Sequence, residues 1–489
     1  MGALPWCRKR RLARLVVPLA AVVACGMAGS ARAEAGSQAE LTCALDSGEL
    51  LDSATAAPVS SPPWQGLASL RRGDESRVRL AVARDDVGFW PAVTTTALLR
   101  LELGLAGRAA ASANGNETTA AVRDVSSWLG VGWQVSPSVR LSLRAFPFDT
   151  DYWRLGYLHA LDWGGTDAQR GESIFLGQRG GAPGVEVSLT APRLRLFSGV
   201  KWARVGDVLR GERRLWGVLS GGSFELSPAL RVDAGFGYFQ RPALVPEAGH
   251  GASFVEGASL RFVWHRGVFE PELSAEPFRP APFDREPRAF EAEALLGVAL
   301  ALEASLLVQR LRRFEAPQST TLTPAPAAAL YGSARGRRLA AHLVVAWQSL
   351  AFALRNDARL ARGQTLPPSS VPRAELSAWL GGNVTLQPLV PSFEVGLRLP
   401  AALETPSVLP GFGQTLLLGG PAGLEALPVG AGRLPVLAAR LALRFQASAS
   451  LALSLSVEYQ RNPNRVAPGA RGFGEPDSLG GVVAAQARF

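Results

Sequence analysis

Arginine recurs in this chain on alternate positions, and that spacing is where chemistry is most concentrated. Arg140 and Arg144 alternate with Val139, Leu141 and Leu143. Arg193, Arg195, Arg231, Arg261, Arg398, Arg440, Arg444 and Arg488 likewise alternate with apolar neighbours. Glu186, Glu225, Asp233, Glu394 and Glu458 occupy the same polar parity. A guanidinium is a planar fork that grips carboxylate or phosphate bidentately. Rows of guanidinium groups along a confined aqueous passage would concentrate anions and set selectivity. The same residues could instead satisfy one another as arginine–acid pairs across the interior.

Other chemistry has little support. The four histidines, His159, His250, His265 and His342, include no pair at metal-ligand spacing, and no HExxH or clustered Cys/His is present. Neither lysine, Lys9 or Lys201, follows a glycine-rich phosphate loop, and Gly-x-Ser-x-Gly is absent. No cofactor is expected. Asp149, Asp151 and His159 lie close in sequence and could form a catalytic pair or a calcium site. Aspartates capping a turn explain them more simply.

The side chains must be positioned by strands. Alternation with period two marks segments such as Val185–Leu189, Leu230–Ala234, Val395–Leu399, Leu441–Phe445 and Leu453–Tyr459. Tight connections share a proline: Ser136-Pro137-Ser138, Ala191-Pro192-Arg193, Ser227-Pro228-Ala229 and Gln387-Pro388. Proline cannot continue a ladder and presets a turn. Long connections, polar or rich in Gly and Pro, span 107–118, 205–212, 241–251, 316–331, 356–373, 400–433 and 461–477. Short turns at one end and long loops at the other characterise a transmembrane barrel.

Composition limits the alternatives. The 489 residues are 47% hydrophobic and 19% charged, too apolar for disorder. Three cysteines exclude a disulfide scaffold. The net charge of +10 comes from scattered arginines rather than lysine-rich runs, so no nucleic-acid partner is expected. A soluble β-sandwich would also alternate. Its strands are usually ~5–6 residues, whereas many here reach about 10–13, long enough to cross a bilayer when tilted. Trp128, Trp133, Trp153, Trp163, Trp216, Trp264, Trp379, Tyr238 and Tyr459 near strand ends suit two interfacial girdles.

At the N-terminus, Arg8–Arg11 and Arg14 precede an apolar run, Leu15–Ala24, and Ala31-Arg32-Ala33 forms a small-x-small cleavage site. Residues 1–33 thus read as a secretory signal peptide cut after Ala33. Val22-Val23-Ala24-Cys25 offers a competing lipoprotein site. Residues 34–74 lack a sustained period and contain Pro58, Pro62 and Pro63, so they read as a periplasmic tail or partial plug, leaving 75–489 for the barrel.

The last strand places Leu479, Gly481, Val483, Ala485, Ala487 and the terminal Phe489 on one parity. In this it resembles the bacterial outer-membrane β-barrel family, whose final strand ends in Phe and is read by the barrel-assembly machinery. The resemblance implies Phe489 as the assembly signal, integral outer-membrane localisation, and contact with membrane lipid and lipopolysaccharide. Arg335, Arg337, Arg338 and Arg373 are candidates for lipopolysaccharide phosphates.

The expected fold is all-β: a transmembrane antiparallel barrel of about 18 strands (16–20), since an even number is the rule and closure alone pairs every backbone group in lipid. Two apolar segments, Ala294–Leu302 and Leu339–Leu354, could be helices. The second is expected to form two strands joined at Gln348-Ser349. A porin-like channel for polar or anionic solutes, without enzymatic activity, is the expected function. Alternatives are a port or anchor for a multi-protein envelope machine, serving polysaccharide export or surface motility with periplasmic partners, and an outer-membrane hydrolase.

Overall fold

The computed structural model describes residues 37–47, 74–90, 93–108, 117–124, 127–146, 158–159, 183–207, 211–241, 253–267, 297–312, 320–353, 369–405, 413–418, 424–448, 451–466 and 472–488. Strands dominate. The first run comprises β1 (Ser37–Ser47), β2 (Asp74–Trp90), β3 (Val93–Arg108), β4 (Glu117–Asp124), β5 (Trp128–Ser136), β6 (Val139–Phe146), β7 (Gly184–Ala191) and β8 (Leu194–Asp207). Then follow β9 (Gly211–Ser227), β10 (Leu230–Arg241), β11 (Ser253–Gly267), β12 (Gly297–Arg312), β13 (Thr320–Arg335) and β14 (Leu339–Gln348). A four-residue helix, α1 (Leu350–Ala353), precedes β15 (Val371–Arg373), β16 (Glu375–Val384), β17 (Leu389–Leu399), β18 (Ala402–Thr405), β19 (Gln414–Leu418) and β20 (Leu424–Ala426). The last three are β21 (Val436–Gln446), β22 (Leu451–Arg461) and β23 (Asp477–Arg488).

The hydrogen-bonded ladder closes on itself. Each strand of the main circuit pairs antiparallel with its sequence neighbour, except that β3 passes to β5, β14 to β16 and β17 to β21. The circuit is completed by β1, which pairs with β2 on one side and β23 on the other, Glu40 lying opposite Arg488. β4 and β5 pair successive stretches of β3, so the 19 strands of this sheet fill eighteen positions. Closure leaves the circuit without a terminal edge strand, the condition for placing a sheet in hydrocarbon. β15, β18, β19 and β20 form a separate small sheet at the long-loop end.

Residues of alternate parity face opposite media. Leu302 is 53% and Leu441 67% exposed, whereas Lys201 and Glu303 are fully buried. That inverts the pattern of a soluble protein, where large apolar groups are covered and charges are wet. On the exposed face the β11–β12 ladder presents Leu260, Phe262 and Trp264 opposite Ala304, Leu302 and Leu300. Trp216 stacks on Tyr238 with ring centroids 5.7 Å apart toward the long-loop end, and Trp264 marks the short-turn end. The eight residue steps of β11 from Glu256, at the level of Tyr238, to Trp264 span about 26 Å along the strand, or about 20 Å of membrane at a tilt of ~40°. That approaches the ~25 Å apolar band of outer-membrane barrels.

Several expectations need correction. Residues 37–47 of the proposed tail are wall, not tail or plug: β1 is the closing strand. Trp128 and Trp379 belong to the interior parity and are buried, not in a girdle. Trp153 and Trp163 lie outside the described residues, as do the signal peptide and Phe489. Gly297–Arg312 is strand, so Ala294–Leu302 is not a helix where described. Leu339–Gln348 is a strand as expected, but Leu350–Ala353 turns into α1 instead of a second strand. The expected loop over 316–331 is largely β13, despite Pro324 and Pro326. β14 pairs with β13 only from Ala327 onward. Both prolines precede that point, where no β14 ladder bond requires their missing N–H. The turn asymmetry also has two exceptions: β11 ends and β12 begins at the short-turn end, with residues 268–296 between them, and β8 and β9 are separated at the long-loop end by residues 208–210 alone, where a long connection over 205–212 was expected.

Candidate functional site

The interior face carries two buried charge triads. Asp233 on β10 accepts from Arg231 Nε (2.7 Å) and Nη2 (3.1 Å), and from Arg261 Nε (2.8 Å) and Nη2 (2.6 Å) on β11. Arg261 lies directly opposite Asp233 in the ladder, so period-two alternation brings them together. Glu186 on β7 lies between Arg144 on β6 (3.8 Å) and Arg195 on β8 (3.7 Å). Arg144 also rests over the ring of Trp128, 4.4 Å from its centroid. Each triad sets two cations against one carboxylate.

The opposite half of the wall is wetter. Arg398 donates to Glu375 (2.7 Å), His342 meets Glu394 (3.1 Å), and Arg440 lies 3.6 Å from Glu458. His342 is 39% and Arg440 28% exposed, against 2% for Arg261. Arg444 donates to Gln486 (3.2 Å), whereas on the triad side Arg140 reaches from β6 to Thr94 on β3 (2.7 Å). Gly132 makes that reach possible: a Cβ there would sit 2.6 Å from the Arg140 guanidinium. The accessible interior therefore follows β14 to β22, with cations alternating with paired acids.

Two expected members fall elsewhere. Arg193 is exposed on the turn between β7 and β8, not on a strand. Glu225 has interior parity but is exposed close to the next turn. Arg335, Arg337 and Arg338 lie at the short-turn end of β13 and β14. Arg373, at the long-loop end, instead pairs with Glu404 (2.8 Å), a hydrogen bond that raises its pKa above the ordinary value. Nearby, burial lowers the pKa of Arg433, whose guanidinium donates to Ala374 O (2.6 Å) and Pro400 O (2.8 Å).

The sequence reading missed Lys201, Glu303 and Glu375, and Glu303 organises the interior. It is fully buried on β12. Its carboxylate accepts from Leu158 N (3.0 Å), His159 N (3.1 Å) and Tyr331 Oη (3.0 Å). Ser305 donates to His159 O (3.1 Å), and His159 Nε2 donates to Ala328 O (3.0 Å). Leu158 and His159 belong to the connection leaving β6, yet they are pinned to β12 and β13, across the interior. From the end of β14, next to β13, α1 inserts Phe352, whose ring meets the His159 ring edge-on at 5.5 Å. Phe352 is buried with Phe197, Leu219 and Phe239, while Leu350 packs against Ala401 and Leu403 beneath the small sheet. Two inward segments thus narrow the barrel. A lone acid among Leu300, Leu302 and Leu306 was the available signal for Glu303.

Among the described residues no group of three His, Cys, Asp or Glu is placed to hold a metal. Asp149 and Asp151 lie outside the described residues.

No protein-family model matches the sequence, and no curated protein does. Among solved structures the chain is similar to OccK7 (OpdD) of Pseudomonas aeruginosa, at 10% identity over 93% of this chain and 99% of that one, TM-score 0.43. It is similar to OccAB2 of Acinetobacter baumannii at 8% identity over 93% and 98%, TM-score 0.44. The outer membrane protein OpdK of P. aeruginosa gives 9% identity over 93% and 98%, TM-score 0.44. On its own geometry the chain is a closed antiparallel β-barrel with an apolar exterior and a charged, partly wet interior.

Proposed function

We propose that the protein is a diffusion channel for polar solutes, with a preference for anions. One observation carries this: along the accessible wall from β14 to β22 the guanidinium groups of Arg398, Arg440 and Arg444 point inward, and the described carboxylates there are already engaged by Arg398, His342 and Arg440. The guanidinium groups belong to these same pairs, so a solute anion reaches them by exchanging with a wall carboxylate at a fork of several N–H donors. About eighteen strands leave room for an aqueous path rather than a filled core. The inward segments then set its width.

Passage rather than catalysis is the reading these contacts support. His159, the histidine considered for hydrolysis, is buried and donates its Nε2 hydrogen to a main-chain carbonyl. The reversal potential of the purified barrel in a planar bilayer under a KCl gradient tests the proposal. The expected sign is that of a chloride-preferring pore. Cation preference would overturn the charge assignment, and absence of conductance would overturn the channel.

A further inference from the structure

The short-turn rim carries an exposed basic patch that the passage does not use. Arg266 follows Trp264 by two residues on the lipid-facing parity of β11, beyond the aromatic girdle, and is exposed. Arg337 and Arg338 are exposed on the turn between β13 and β14. β11, β12, β13 and β14 are consecutive in the wall, so the three side chains share one sector of the rim. Leu339, directly after Arg338, is 62% exposed on the lipid face, and Val298, opposite Arg266, is 49% exposed. Cations that directly adjoin acyl-facing residues sit at the depth of lipid headgroups.

We propose that this sector binds the phosphate of an anionic phospholipid in the periplasmic leaflet. The occupant follows from position and charge. The residues on the membrane side are covered by acyl chains, so the next groups outward are headgroup phosphates. Guanidinium groups bind phosphate through paired donors, and each basic residue near an anionic surface adds about 1 kcal/mol of attraction. Among side chains described on this sector's turn and strand ends, none is a carboxylate. Residues 268–296, between β11 and β12 at the same end, are rich in Glu and Pro and are a rival source of counter-charge. Bound lipid would brace the sector that holds Glu303.

The test uses the full-length mature barrel, with Arg266→Gln, Arg337→Gln and Arg338→Gln combined, and heat-modifiable gel migration as the check on folding. Native mass spectrometry would score retention of phosphatidylglycerol against phosphatidylcholine. The unaltered barrel is expected to retain phosphatidylglycerol preferentially, and the triple variant to lose that preference by about ten- to a hundredfold. Equal retention of both lipids by the unaltered barrel would overturn the proposal. So would an undiminished preference in a folded triple variant, which would place the lipid elsewhere or leave the rim to the acidic segment or a protein partner.

Discussion

Glu303→Ala is expected to release the inward segment and widen the channel. The substitution leaves the amides of Leu158 and His159 and the Tyr331 hydroxyl without their shared acceptor. A buried donor stripped of its partner costs about 1–3 kcal/mol. Even at about 3 kcal/mol in total, the docked-to-undocked ratio falls by roughly two orders of magnitude. Single-channel recordings would then show larger, noisier openings than the unaltered protein. Tyr331→Phe removes one of the three donors and should have a much smaller effect. Identical conductance for Glu303→Ala and the unaltered barrel would mean that residues 158–159 do not bound the passage.

Asp233→Ala should cost about 3–5 kcal/mol of stability. Arg231 and Arg261 would be left as uncompensated buried cations, the case in which breaking an ion pair is most expensive. Glu458→Ala is the contrast: its arginine is 3.6 Å away and partly wet, so a cost of about 1 kcal/mol or less is expected. Urea midpoints of the folded, heat-modifiable band in detergent would rank the two. Equal losses would show that the β10–β11 triad is no drier than the opposite wall.

Much of this architecture is visible as period two. Arg231, Asp233 and Arg261 share a polar parity in sequence, and the ladder sets Asp233 opposite Arg261 without further information. What parity cannot show is contact between distant segments. Glu40, Thr42, Ala44 and Asp46 alternate with Leu41, Cys43 and Leu45 in β1, but its two partners include a strand at the far end of the chain. Without a hairpin on either side, β1 read as a tail. Trp128 was assigned to a girdle by residue type, although its parity is that of Gly130, Gly132 and the interior. Pro324 and Pro326 suggested a loop because the sequence does not reveal that β14 stops short of them. The narrowing by His159 and Phe352 depends on contacts spanning more than a hundred residues, as in the 144-residue separation of His159 from Glu303. No local pattern encodes such a meeting. The buried charge of Glu303 on an otherwise Leu- and Ala-rich strand was its trace.

That successive residues of one strand face water and lipid in turn is tested most directly by single-cysteine substitution along β21, from Arg440 to Phe445, in a background with Cys43→Ser. Each variant would be treated with a charged, water-soluble thiosulfonate while current is recorded across a bilayer. Cysteines at 440, 442 and 444 should react and alter the current, and those at 441, 443 and 445 should not. Reaction at every position, at none, or at the odd positions alone would contradict a barrel whose arginines enclose water.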